Sequence, residues 1–93
     1  GHAAANLMPV IASNRVGVEQ DEDSSITFYG SSFIAGPTGR KLVEAGRTEE
    51  TVLVAEFDLD ALEAQRIEWG IFRDRRPDQY GIIASYDGDL KFR

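Results

Sequence analysis

The apolar positions of this chain fall in short blocks separated by polar and glycine-containing breaks. Residues 2–7 (HAAANL) have high helix propensity with no good N-cap before them, so they read as the last turns of a helix that Pro9 ends. Residues 10–13 (VIAS) are nearly all apolar, the pattern of a strand buried on both faces. Residues 16–25 (VGVEQDEDSS) break the pattern and predict a solvated acidic loop. Residues 26–29 are β-branched and aromatic, and 32–35 continue them as strand. Gly36-Pro37-Thr38-Gly39 is a turn, because proline fixes φ at its second position and glycine closes it. Residues 41–45 return as the partner strand of a hairpin, and 46–50 make a polar turn. Residues 51–57 (TVLVAEF) form the strongest strand pattern, with Val52 and Val54 on one face and Leu53 and Ala55 on the other. Both faces are apolar, so this strand is expected to be covered on both sides.

A helix is expected from Asp60, where Asp60 and Glu63 have the spacing of a capping box, and Leu62, Arg66 and Ile67 follow at helical spacing. Gly70 ends it. Pro77 suits the first position of a second short helix over 78–83. Asp87-Gly88 is a turn, and 90–93 are expected to be a terminal strand or a frayed tail. The order is helix end, strand, loop, three-strand meander and two helices, which is an α+β layered class. No repeat or linker divides residues 1–93, so one domain or part of one is expected. Two helices cannot cover both faces of such a sheet, so one face is expected to need something this chain does not contain.

Charge and composition narrow the function classes. The chain has 93 residues and a formal net charge of -6. That charge argues against non-specific nucleic-acid binding, which depends on lysine and arginine displacing counterions. It mildly favours a cationic ligand. No apolar run approaches the roughly 18 residues of a membrane span, and no basic region precedes the first apolar stretch, so neither membrane nor secretory signal is expected. Cysteine is absent, which excludes a thiol nucleophile, thiolate metal sites and disulfides within the chain.

His2 is the only histidine, and serines without a histidine base are not credible nucleophiles. Gly30–Gly36 lacks the spacing and lysine of a phosphate loop. The acids Glu19, Asp21, Glu22 and Asp23 lack the alternating spacing and glycine of a calcium loop, so no metal site is expected. Arg73, Arg75 and Arg76, flanked by Trp69, Phe72 and Tyr80, form the only basic cluster. Guanidinium groups pair with carboxylates and stack on aromatics, which fits an interface better than a nucleic-acid surface at this net charge.

Two stretches carry a family likeness. WGIFRDRRPDQY at 69–80 and ITFYGSSFIAGPTG at 26–39 resemble the closing part of carbon–nitrogen hydrolases of the nitrilase superfamily, and the arginine-rich stretch is closest to the N-carbamoylputrescine amidase subfamily. GHAAAN at 1–6 and ASNR at 12–15 match in the same order, so the likeness runs from Gly1 to about Gly88. It implies the C-terminal portion of an α–β–β–α sandwich. It also implies catalysis by a glutamate, a lysine and a cysteine, hydrolysing N-carbamoylputrescine to putrescine, carbon dioxide and ammonia without a cofactor. All three catalytic positions of the family lie before the stretch that begins at Gly1, so no catalytic residue is expected here. Ser13, Asn14 and Arg15, at the end of a buried strand, are expected to border the substrate pocket. Trp69, Phe72, Arg73, Arg75 and Arg76 are expected at a contact between copies in a cytoplasmic homo-oligomer. The alternative from a different class is a stand-alone, non-catalytic interaction module.

Overall fold

The computed structural model describes residues 1–88; the tail expected at 90–93 lies outside them. The first element is a short helix, α1 (His2–Asn6), without a side-chain N-cap. It ends at Leu7, two residues before Pro9, in a left-handed conformation with φ 46°. Such a backbone costs a non-glycine residue about 1–2 kcal/mol, and burying a leucine side chain returns about 1.5–3 kcal/mol. Leu7 is the most deeply buried large side chain among the described residues, so burial wins.

Two small antiparallel sheets follow. One contains β1 (Val10–Ala12), β4 (Phe33–Ala35) and β5 (Lys41–Glu44), with β4 in the centre. The other is a hairpin of β2 (Val16–Gln20) and β3 (Ser25–Tyr29). Ile11, Ile34 and Val43 stand in register across the first sheet. Ile34 is buried, but Ile11 is 74% exposed. The expectation that this first strand is covered on both faces is thereby corrected: among the described residues it is an edge strand with no layer over Ile11.

The expected loop over 16–25 is also corrected. Val16–Gln20 pairs residue for residue with Ser25–Tyr29, and the acids at 21–23 form the hairpin tip, where the Asp21 N–H donates to the Ser24 carbonyl at 2.8 Å. The acidic side chains masked a strand because an exposed hairpin needs no apolar face.

The expected single strand through 26–35 is broken in two. Gly30 and Ser31 both have positive φ, 59° and 62°, and they pass the chain from one sheet to the other. A side chain at Gly30 would sit 2.7 Å from the Gly46 carbonyl oxygen and 2.8 Å from Val16 Cγ1. Gly30→Ala is expected to combine left-handed strain with a backbone clash, costing about 3 kcal/mol. Loss of thermal stability by circular dichroism, absent in Gly46→Ala, checks this, since a Cβ on Gly46 meets nothing within 4 Å.

Residues 51–57, expected as a strand, belong to neither sheet. Leu53, Ala55 and Phe57 are half-buried, while Val52 and Val54 are 85% and 80% exposed. The alternation expected of a strand is present; its partner strand and its covering layers are not supplied by the described residues. The second helix, α2 (Leu59–Trp69), is capped by Asp58, whose side chain accepts from the Ala61 N–H at 3.0 Å. The cap therefore lies two residues before the expected Asp60. Gly70 closes the helix with φ 66°, as expected. The second expected helix, over 78–83, is two short 3-10 turns, Pro77–Gln79 and Gly81–Ala84, parted at Tyr80.

These elements do not close around one core. The radius of gyration is 20.0 Å, against about 12 Å for a compact domain of this length. The extents are 54 × 41 × 14 Å, so the chain is a thin slab. Its buried apolar residues among those described are Ala3, Leu7, Ile34 and Ala35. No residue of α2 is buried.

Candidate functional site at the end of the first strand

Ser13, Asn14 and Arg15 leave β1 together and line one open concavity of about 500 Å³. Its other walls come from Ser32 and the start of β4, Phe33 and Ile34, and from the chain after β5, including Glu49, Glu50 and Leu53. The geometry depends on Asn14. Its N–H donates to Ser32 Oγ at 2.8 Å, and the Ser32 hydroxyl donates back to the Asn14 carbonyl at 3.3 Å. Its side-chain Nδ2 donates to the Gly30 carbonyl at 2.9 Å, while Oδ1 accepts from the Arg15 N–H at 2.8 Å. Both ends of the amide are therefore used to fix the end of β1 against the Gly30–Ser32 link. Asn14 shapes the concavity by positioning its neighbours.

Arg15 turns toward the hairpin. It pairs with Glu19, and its guanidinium lies 4.1 Å from the centre of the Phe28 ring. Both ionic partners are more than half exposed, so the pair adds little stability. Glu49 and Glu50 were read from the sequence only as part of a polar turn. Their place on the wall depends on how the chain returns after β5, which no local pattern encodes.

The arginine cluster is a separate feature. It shares no lining residue with the concavity and follows the end of α2. Arg73 makes a two-pronged contact with Asp74, Nε to Oδ1 at 2.9 Å and Nη2 to Oδ2 at 3.3 Å, and Nη1 reaches the Ile67 carbonyl at 3.3 Å. The hydrogen bonding from Arg73 to Asp74, and then the charge of Arg73, hold the Asp74 carboxyl below its usual range. Arg76 grips Asp78 in the same way, Nε at 3.1 Å and Nη2 at 2.8 Å. Hydrogen bonds from Arg76 and Gln79 hold the Asp78 carboxyl below its usual range. Arg75 donates to the Phe72 carbonyl at 3.2 Å. Arg66 lies over the Phe72 ring at 5.3 Å. The guanidinium–carboxylate and ring contacts expected from the sequence are formed, but between near neighbours in the chain. Trp69 and Phe72 remain 58% and 42% exposed.

Among the described residues, no helix is long and apolar enough to cross a membrane. The model of the carbon–nitrogen hydrolase family matches residues 1–67. The chain belongs to the carbon–nitrogen hydrolase family. It is 55% identical over 94 residues to the N-carbamoylputrescine amidase of Arabidopsis thaliana, a match covering 97% of this chain and 31% of that protein. It is 54% identical over 83 residues to the citrullinase of Francisella tularensis, covering 89% of this chain and 29% of that protein. The crystal structure of a carbon–nitrogen hydrolase from Helicobacter pylori G27 superposes with a TM-score of 0.78 at 46% identity, over 92% of this chain and 30% of that one. The chain thus spans about three-tenths of the length of the curated relatives it matches. The arginine cluster lies beyond the general family match and inside the stretch shared with the plant amidase.

Proposed function

We propose that this chain serves as the C-terminal portion of an α–β–β–α sandwich in an enzyme that hydrolyses N-carbamoylputrescine to putrescine, carbon dioxide and ammonia. One observation carries the reading: identity of 54–55% to both an N-carbamoylputrescine amidase and a citrullinase across most of the chain. Citrulline and N-carbamoylputrescine share a ureido group, and they differ at the far end of the molecule. A ureido amine is therefore the substrate class, and the plant relatives favour the one whose far end is an ammonium with no carboxylate beside it. Glu49 and Glu50, on the same wall as Ser13, Asn14 and Arg15, suit that cationic end.

The chemistry needs a nucleophile that residues 1–93 lack, since they contain no cysteine. In this reading the chain contributes the edge of the substrate pocket, and the thiolate, its proton shuttle and the oxyanion-stabilising lysine come from elsewhere in the domain. Trp69, Phe72, Arg73, Arg75 and Arg76 then lie at a contact between copies, where arginine and aromatics are enriched. The setting is a cytoplasmic homo-oligomer.

In a full-length enzyme carrying this segment, Asn14→Ala is expected to lower catalytic efficiency tenfold to roughly a hundredfold, because loss of positioning next to a pocket is costly. The accompanying loss of stability is about 1–3 kcal/mol. Steady-state kinetics with N-carbamoylputrescine beside a thermal melt separates the two. Unchanged catalytic efficiency sinks the pocket assignment, and turnover of citrulline in preference to N-carbamoylputrescine overturns the choice of substrate.

A further inference from the structure

We infer that the ion pair of Arg15 with Glu19 is a specificity device: it holds the one cation on the wall of the concavity against the β2–β3 hairpin, and so selects a ureido substrate whose far end carries no carboxylate. The inference rests on the reading of the concavity as a substrate pocket and deepens it. Two observations carry it. Arg15 is the single arginine or lysine among the described residues that line the concavity, whose acids are Glu49 and Glu50. Its guanidinium is engaged with residues that are not on that wall. It pairs with Glu19 and lies 4.1 Å from the centre of the Phe28 ring, and neither partner lines the concavity. The hairpin explains the hold. Alternation along β2 puts Gly17 between Arg15 and Glu19 on one side of the hairpin, where Gly17 stands opposite Phe28. With no side chain between them, the arginine crosses the Phe28 ring to reach Glu19.

The pairing sets the charge that a ligand meets. With Arg15 committed to Glu19, the wall offers the carboxylates of Glu49 and Glu50 and, among its described residues, no cation that is not already paired. Such a wall suits a bare ammonium and repels a carboxylate. N-carbamoylputrescine ends in a bare ammonium, whereas citrulline carries an ammonium and a carboxylate on the same carbon. A released Arg15 gives that carboxylate a two-pronged partner and opposes the bare ammonium. Both members of the pair are more than half exposed, so the pair contributes little to stability. A substitution of Glu19 therefore reads the charge on the wall rather than the fold.

The test is steady-state kinetics of Glu19→Gln in a full-length enzyme carrying this segment, with N-carbamoylputrescine and citrulline as the two substrates. The ratio of catalytic efficiencies, citrulline over N-carbamoylputrescine, is expected to rise about three- to tenfold, the scale of one exposed charge contact. The two efficiencies should move in opposite directions, citrulline up and N-carbamoylputrescine down, whereas damage to the fold lowers both. Adding Arg15→Gln to Glu19→Gln should return the ratio to that of Arg15→Gln alone, since the effect runs through the arginine. An unchanged ratio, a fall in both efficiencies, or a rise that survives in the double variant overturns the inference. Preference of the unsubstituted enzyme for citrulline, with the ratio still rising in Glu19→Gln, counts against the choice of substrate and leaves the role of the ion pair standing. Hydrolysis of neither compound overturns both.

Discussion

The chain by itself is expected to release no ammonia from N-carbamoylputrescine above a buffer blank. The expectation follows from what attack on a ureido carbon requires. A ureido carbonyl is a poor electrophile, and a positioned, activated nucleophile is needed to reach the tetrahedral intermediate. The chain has no thiol, and His2, its one histidine, is exposed on α1. Ser32, on the wall of the concavity, has its hydroxyl committed to the Asn14 backbone. Removing a catalytic nucleophile costs about a millionfold in kcat in a well-studied protease, and here its base is missing as well. A sensitive ammonia assay on chain of verified mass and purity is the measurement. Turnover that scales with chain concentration would mean that some group outside the family's chemistry acts as nucleophile.

The second large effect is on solution state: the folded chain is expected to be a dimer or higher oligomer, or to aggregate, at tens of micromolar. Its apolar side chains are open to an extent that water does not tolerate on a stable monomer. Ile11, Val52, Val54, Leu59, Ile67 and Ile83 are each at least 65% exposed. Monomeric proteins rarely expose contiguous apolar patches beyond a few hundred Å². The surface of 7815 Å² is about 2,400 Å² more than a compact protein of this mass exposes, an excess on the scale of a full protein–protein interface. Light scattering decides the matter. A soluble monomer with a radius of gyration near the compact value of about 12 Å would show that the chain closes on itself in solution and that the open slab is not its resting form.

The local elements that depend on neighbouring residues were legible. The turn at Gly36–Gly39, the strands on either side of it and the left-handed close of α2 at Gly70 follow from proline, glycine and short apolar runs. In the structure the Gly39 N–H donates to the Gly36 carbonyl at 3.0 Å, and the Gly36 N–H to the Arg40 carbonyl at 2.8 Å. The family was legible for a related reason: segments such as 26–39 and 69–80 hold local turns and ion pairs that few other sequences satisfy. Arg73 with Asp74 and Arg76 with Asp78 are contacts between residues one and two apart.

Sequence alone determined that apolar side chains alternate along residues 51–57, that no thiol is available, and that the chain is of carbon–nitrogen hydrolase type. Tertiary structure decided where strands stop and what they meet. Gly30 and Ser31 cut an apparently continuous strand because the path between two sheets, with the Gly46 carbonyl close by, requires left-handed backbone there. Residues 16–20 became a strand because residues 25–29 returned alongside them, despite the acids at the turn. Glu49 and Glu50 joined the wall beside Asn14 only through the route of the chain after β5. Propensity and periodicity act between near neighbours, so they reveal which segments can be strands. Pairing, burial and the walls of a pocket are contacts between distant residues, and those are settled by how the layers come together.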